Sequence, residues 1–84
     1  MLVGFCSAAV QVLEDEVRMR RSIGYLDKPA GDITHALMRG DTARINGGPA
    51  RQDALCWWLV AHEGSEGWSA DRSPDGTPLL APGP

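Results

Sequence analysis

Leu55-Cys56-Trp57-Trp58-Leu59-Val60 decides the fold. Six consecutive apolar positions, aromatic and β-branched residues among them, have the length and make-up of a buried strand rather than a helix. A polar hairpin connection at residues 50–53 precedes the run, and Glu63-Gly64-Ser65-Glu66-Gly67 follows it as a turn. Neighbouring side chains on a strand point to opposite faces, so Trp57 and Trp58 diverge. A one-sided core takes one of them, and the other is expected to lie at least partly in the open.

Toward the N-terminus, residues 42–46 alternate with Ala43 and Ile45 inward, and Gly47-Gly48-Pro49 closes the run with turn chemistry. Residues 33–38 are too short for a helix before Gly40-Asp41 and are read as a strand. Val17-Arg18-Met19-Arg20 sets two apolar side chains against two arginines, a strand with a solvated side. Val10 and Val12 continue a first strand begun in residues 1–10, broken from the next by Glu14-Asp15-Glu16. Between Arg20 and the strand at residues 33–38, residues 24–32 hold Gly24, Pro29 and Gly31 and form a long exposed loop with Tyr25 at its start. Toward the C-terminus, Trp68-Ser69-Ala70 opens another strand, Ser73-Pro74-Asp75-Gly76 turns, and residues 77–80 end the last strand. Ala81-Pro82-Gly83-Pro84 is expected to fray. The pattern is all-β: about six or seven short strands in one small barrel or sandwich over residues 1–80, with a Pro/Gly tail at 81–84.

A chain of 84 residues buries only about 60–65% of the surface it exposes unfolded, which leaves room for one small core and no interdomain cleft. Its 43% hydrophobic content excludes intrinsic disorder. Eight Lys plus Arg against eleven Asp plus Glu give a net charge of −3, with no basic stripe, so nucleic acid is not an expected partner. The apolar run at residues 54–61 has strand length rather than membrane-spanning length, so no membrane span is expected. Residues 1–10 lack the positive start of a secretory signal and are read as a strand.

Cys6 and Cys56 are fifty positions apart with no C-x-x-C. Paired, they would close a loop worth roughly 4 kcal/mol of denatured-state entropy. The expectation is two buried, unbridged thiols. No metal and no cofactor is expected: His62-Glu63 lacks a second histidine one helical turn on, His35 is distant in sequence, and no glycine-rich phosphate loop occurs. Cys56, His35 and Asp41 have no local arrangement that would activate a thiol.

In order, Val17-Arg18-Met19-Arg20, Leu37-Met38-Arg39-Gly40-Asp41-Thr42-Ala43-Arg44-Ile45, Gly47-Gly48-Pro49, Trp57-Trp58-Leu59-Val60, Gly67-Trp68-Ser69-Ala70 and Leu79-Leu80 resemble the bacterial Src-homology-3-like (SH3-like) domain family. Two departures stand out: Ser22-Ile23-Gly24 replaces the family's Gly-Pro-Gly, and Leu59 stands where the family carries a basic residue. The resemblance implies a small SH3-like barrel serving as an accessory module of extracellular or cell-envelope proteins, bound to peptides, peptidoglycan or protein surfaces. An aromatic groove for Pro-rich peptides needs clustered tyrosines, and Tyr25 stands alone.

The expected site joins the more exposed of Trp57 and Trp58 to Tyr25 at the base of the long loop, with Asp27 and Asp32 as an acidic rim. The function expected is a non-catalytic binding or protein–protein interaction module. The alternative is a homo-oligomer that buries Phe5, Leu59 and one indole against a second copy. A third reading, an oligomeric enzyme of the plasmid-type dihydrofolate reductase kind, is disfavoured because Val10-Gln11-Val12-Leu13 lacks the tyrosine and lies at the wrong end of the chain.

Overall fold

The computed structural model describes residues 9–82. Seven strands follow in order: β1 (Ala9–Val12), β2 (Val17–Arg20), β3 (Ile33–Leu37), β4 (Thr42–Gln52), β5 (Leu55–His62), β6 (Ser65–Ala70) and β7 (Leu80–Pro82). A 3-10 turn, Ala30–Asp32, precedes β3. No helix among the described residues is long and apolar enough to cross a membrane. The strands form one antiparallel sheet in the order β3-β2-β6-β5-β4-β1-β7. The chain is therefore all-β, as its alternation implies.

No ladder joins the two end strands, β3 and β7, so the sheet is rolled without being closed. The rolling follows from the core. Leu37 of β3 and Leu80 of β7 belong to one buried cluster with Val10, Val12, Val17, Met19, Ala43, Trp58 and Val60. A flat sheet of this order would hold those ends a sheet-width apart, about 30 Å at the usual strand spacing. Each such side chain gains roughly 1.5–3 kcal/mol on leaving water, which is the force that curls the sheet. The turn after β3 also reaches β1, where Val12 donates to the Asp41 carbonyl and accepts from the Gly40 N–H, both at 2.9 Å.

Two glycines permit close backbone approaches that a Cβ would block. At Gly67, a Cβ would stand 3.0 Å from both the Arg20 carbonyl oxygen and Met19 Cβ, where β2 crosses β6. At Gly48 (φ +104) it would stand 2.8 Å from the Trp57 carbonyl oxygen.

The structure corrects the sequence reading at several boundaries. Gly47-Gly48-Pro49 does not end a strand. It lies inside the eleven-residue β4, whose register against β5 shifts on both sides of Gly47. The left-handed Gly48 bends the strand over Trp58 instead of reversing it. The reversal comes later, at Asp53 and Ala54, both with positive φ. Ala81 and Pro82 do not fray, because they pair with Gln11 and Val10 on the otherwise open side of β1. Cys56 is an unbridged, half-buried thiol. Cys6, Phe5 and the strand expected from residue 1 lie outside the described residues.

Candidate functional site

β5 is flanked by β4 and β6, and both its faces are covered. Trp58 points into the main core. Trp57 points to the outer face, where it forms a second cluster with Leu55 and Ala70, overlaid by Ile23, Tyr25 and Trp68. The indoles diverge as strand geometry requires, but neither is in the open: Trp57 is 3% exposed and Trp58 5%. The expected exposed indole is therefore absent. The sequence reading assumed a one-sided core, whereas the loop after β2 folds back and supplies a second one. The exposed large apolar side chains among the described residues are Leu26 and Met38 instead.

The loop is held by an acceptor the sequence reading passed over. Asp53 Oδ2 accepts the backbone N–H groups of Tyr25 at 2.8 Å and Leu26 at 3.1 Å. These two bonds, Leu26 first, hold the Asp53 carboxyl below the ordinary carboxylate range, with the positive charge of Lys28 adding to them. Trp57 Nε1 donates to the Gln52 carbonyl at 2.9 Å, fixing the indole under the same turn.

Beside Trp57 and Tyr25 lies a groove of about 410 Å³. Leu55, Trp57, Ala70 and Leu79 supply its apolar surface and Tyr25 one wall. Arg18 and Arg20 of β2 and Arg72, after β6, line it, with Asp15 and Glu16 from the turn between β1 and β2. Tyr25 and Trp57 are thus brought together, and Trp58, Asp27 and Asp32 are not part of the groove.

The acidic rim expected from Asp27 and Asp32 does not form. Asp27 is exposed in the loop at φ 56. Asp32 is buried and ion-paired, 2.9 Å from Lys28 Nζ and 3.7 Å from Arg20 Nη1, and it accepts the Ser22 hydroxyl at 3.3 Å. The Lys28 hydrogen bond, foremost among these contacts, lowers the Asp32 carboxyl below its ordinary range. Asp32 therefore ties the loop shut on itself rather than facing a partner.

A larger and more open hollow, about 790 Å³, lies at the other end of β5. Its apolar side chains are the alanines Ala9, Ala43 and Ala61, and its walls include Arg44, Asn46, Glu63 and Glu66. Beside it His62 and His35, far apart in sequence, bring their rings to 6.1 Å between centroids. His62 Nδ1 donates to the Thr42 carbonyl at 3.0 Å, and Nε2 lies 3.6 Å from Asp41 Oδ2 and 3.7 Å from Glu63 Oε1. Among the described residues no group of three or more His, Cys, Asp or Glu is arranged to hold a metal ion. Cys56 is six residues from His62 along one strand, about 20 Å, so no thiol–imidazole pair forms with it.

No family model, no curated protein and no solved structure matches this chain.

Proposed function

We propose that the protein is a non-catalytic binding module that takes an extended peptide segment, from a cell-wall or protein partner, in the groove beside Tyr25 and Trp57. The observation that carries this reading is the pre-formed apolar floor: Trp57 is locked by its bond to Gln52 and Tyr25 by its bond to Asp53. A surface already ordered costs less to bind against than one ordered by its ligand. Concave sites with an apolar floor and a few placed polar groups are the usual form of ligand pockets.

The same proposal takes the rolled sheet as an SH3-like barrel and places the module in a bacterial envelope or extracellular protein. It is supported by the ordered motifs from Val17 to Leu80 and by the shared core of the two end strands.

The test is an amide NMR titration with soluble peptidoglycan stem peptides and with unstructured protein-derived peptides. Shifts confined to Tyr25, Leu55, Ala70 and Leu79, and lost in Tyr25→Ala, support the groove. Shifts confined to Leu26 or Met38, accompanied by a rise in solution mass, would replace it with self-association.

A further inference from the structure

The rim of the groove has a charge balance opposite to that of the chain. Acids exceed bases in the protein, eleven to eight, yet three arginines meet two carboxylates around this cavity. Their commitments differ. Arg20 is 8% exposed and faces Asp32, and Asp15 Oδ1 already accepts the Arg39 N–H at 3.2 Å. Arg18 and Arg72 are exposed, and neither forms an ion pair among the described residues.

A guanidinium at the edge of an apolar floor presents a planar pair of donors that fits a carboxylate in two parallel hydrogen bonds. The nearby hydrophobic surface lowers the local dielectric and strengthens that attraction.

Resting on the peptide-binding reading above, we infer that the groove selects acidic peptides, in which apolar side chains alternate with carboxylates. Successive side chains of an extended peptide point to opposite sides at about 3.3 Å per residue. That spacing sets an apolar residue on Leu55 and Trp57 while its neighbours reach Arg18 and Arg72 at the rim. A phosphate backbone would satisfy the same guanidiniums. However, a polyanion meets a chain of net charge −3, and two exposed arginines form no stripe along which a phosphate backbone could run.

The experiment is fluorescence anisotropy of the intact protein with three fluorescein-labelled probes: acetyl-(Glu-Leu)3-amide, its Gln-Leu counterpart and its Lys-Leu counterpart. A labelled oligothymidylate is the fourth arm. The acidic probe is expected to bind about tenfold more tightly than the glutamine probe at low salt, with the gap shrinking as salt is raised. The double variant Arg18→Gln/Arg72→Gln should close the gap without altering the melting temperature or the affinity for the glutamine probe. Arg44→Gln, at the hollow on the other end of β5, should leave the gap open. Equal binding of the acidic and glutamine probes would overturn acid selection while leaving the groove standing. Failure of every peptide probe would overturn the groove itself, and preference for the oligothymidylate would overturn the peptide class.

Discussion

Asp53 and Tyr25, 28 positions apart, are joined by a 2.8 Å hydrogen bond from the Tyr25 backbone N–H to Asp53 Oδ2. One carboxylate in the turn between β4 and β5 thereby fastens the loop between β2 and β3. Because that loop carries Tyr25 over Trp57, the shape of the proposed groove depends on the charge state of Asp53.

The pH dependence follows directly. The Asp53 carboxyl is lowered in the folded chain, chiefly by the Leu26 and Tyr25 N–H groups, and Asp32 is lowered chiefly by Lys28. A group depressed on folding contributes stability that is complete above its unfolded value, about 3.9, and is lost as pH falls through the folded value. The amides of Tyr25 and Leu26 should lose hydrogen-exchange protection in that acid window, ahead of the Val60 and Met19 amides. Asp53→Asn keeps an acceptor but removes the titration, so it should flatten the profile at Tyr25. Simultaneous loss of protection at all four positions would show that the loop is not separately held.

The hairpin at Asp53-Ala54 holds an avoidable cost. Both residues have left-handed φ, 55° and 63°, the geometry of a two-residue hairpin whose favoured sequence is Asp-Gly. Aspartate tolerates it, but alanine meets a steric cost of roughly 1–2 kcal/mol. Part of that gain is offset by the extra freedom of glycine in the unfolded chain. Ala54→Gly should therefore stabilise the protein by about 0.5–1 kcal/mol, read from urea denaturation at unchanged m-value. A destabilised variant would mean the turn is not built as described.

The two tryptophans should separate by mechanism. Trp58 lies in the cluster that unites both ends of the sheet, so Trp58→Ala should cost about 3–5 kcal/mol, a large share of what so small a domain has. Trp57→Phe keeps an aromatic ring but loses the Nε1–H bond to Gln52 and part of the indole's volume, about 1–2 kcal/mol. Both costs are read from thermal or urea unfolding. A loss of about 3–5 kcal/mol from the milder Trp57→Phe change as well would show that Trp57 is no less deeply committed to the fold than Trp58, against the separation described.

Sequence periodicity carried the strands because each turns alternate side chains toward the main core. Val10 and Val12, and Val17 and Met19, alternate as read, and all four are in the core. The second cluster was illegible for a physical reason. Ile23 and Tyr25, which cover it, come from the loop that Asp53 holds from 28 positions away, and no local pattern encodes a side chain to backbone contact at that separation. The same gap led the reading to leave one indole in the open and to assign Asp32 to a partner rather than to Lys28. Tyr25 beside Trp57 was readable, since the loop that bears Tyr25 is the longest among the described residues. The arginines at the rim were not, because Arg18 and Arg72 meet only in three dimensions.

Adjacent glycines in β4 make a controlled comparison of backbone freedom. At Gly48 the backbone is left-handed, φ +104, and an added Cβ would lie 2.8 Å from the Trp57 carbonyl oxygen and 3.1 Å from Trp58 Cα. Neither neighbour is the free end of a side chain, so the strand itself must shift. Dihedral strain and the clash act together, and Gly48→Ala should cost at least about 2 kcal/mol. At Gly47 the dihedral is ordinary, and a Cβ would meet Leu59 Cβ at 3.4 Å and Leu59 Cδ2 at 3.5 Å, normal packing distances. Gly47→Ala should therefore fall within about 1 kcal/mol of the parent, since reduced freedom of the unfolded chain works in its favour. Urea denaturation of the two variants decides the point. Equal stability would show that β4 does not cross Trp58 as closely as described, and the bend at Gly48 would then no longer account for the register shift beside it.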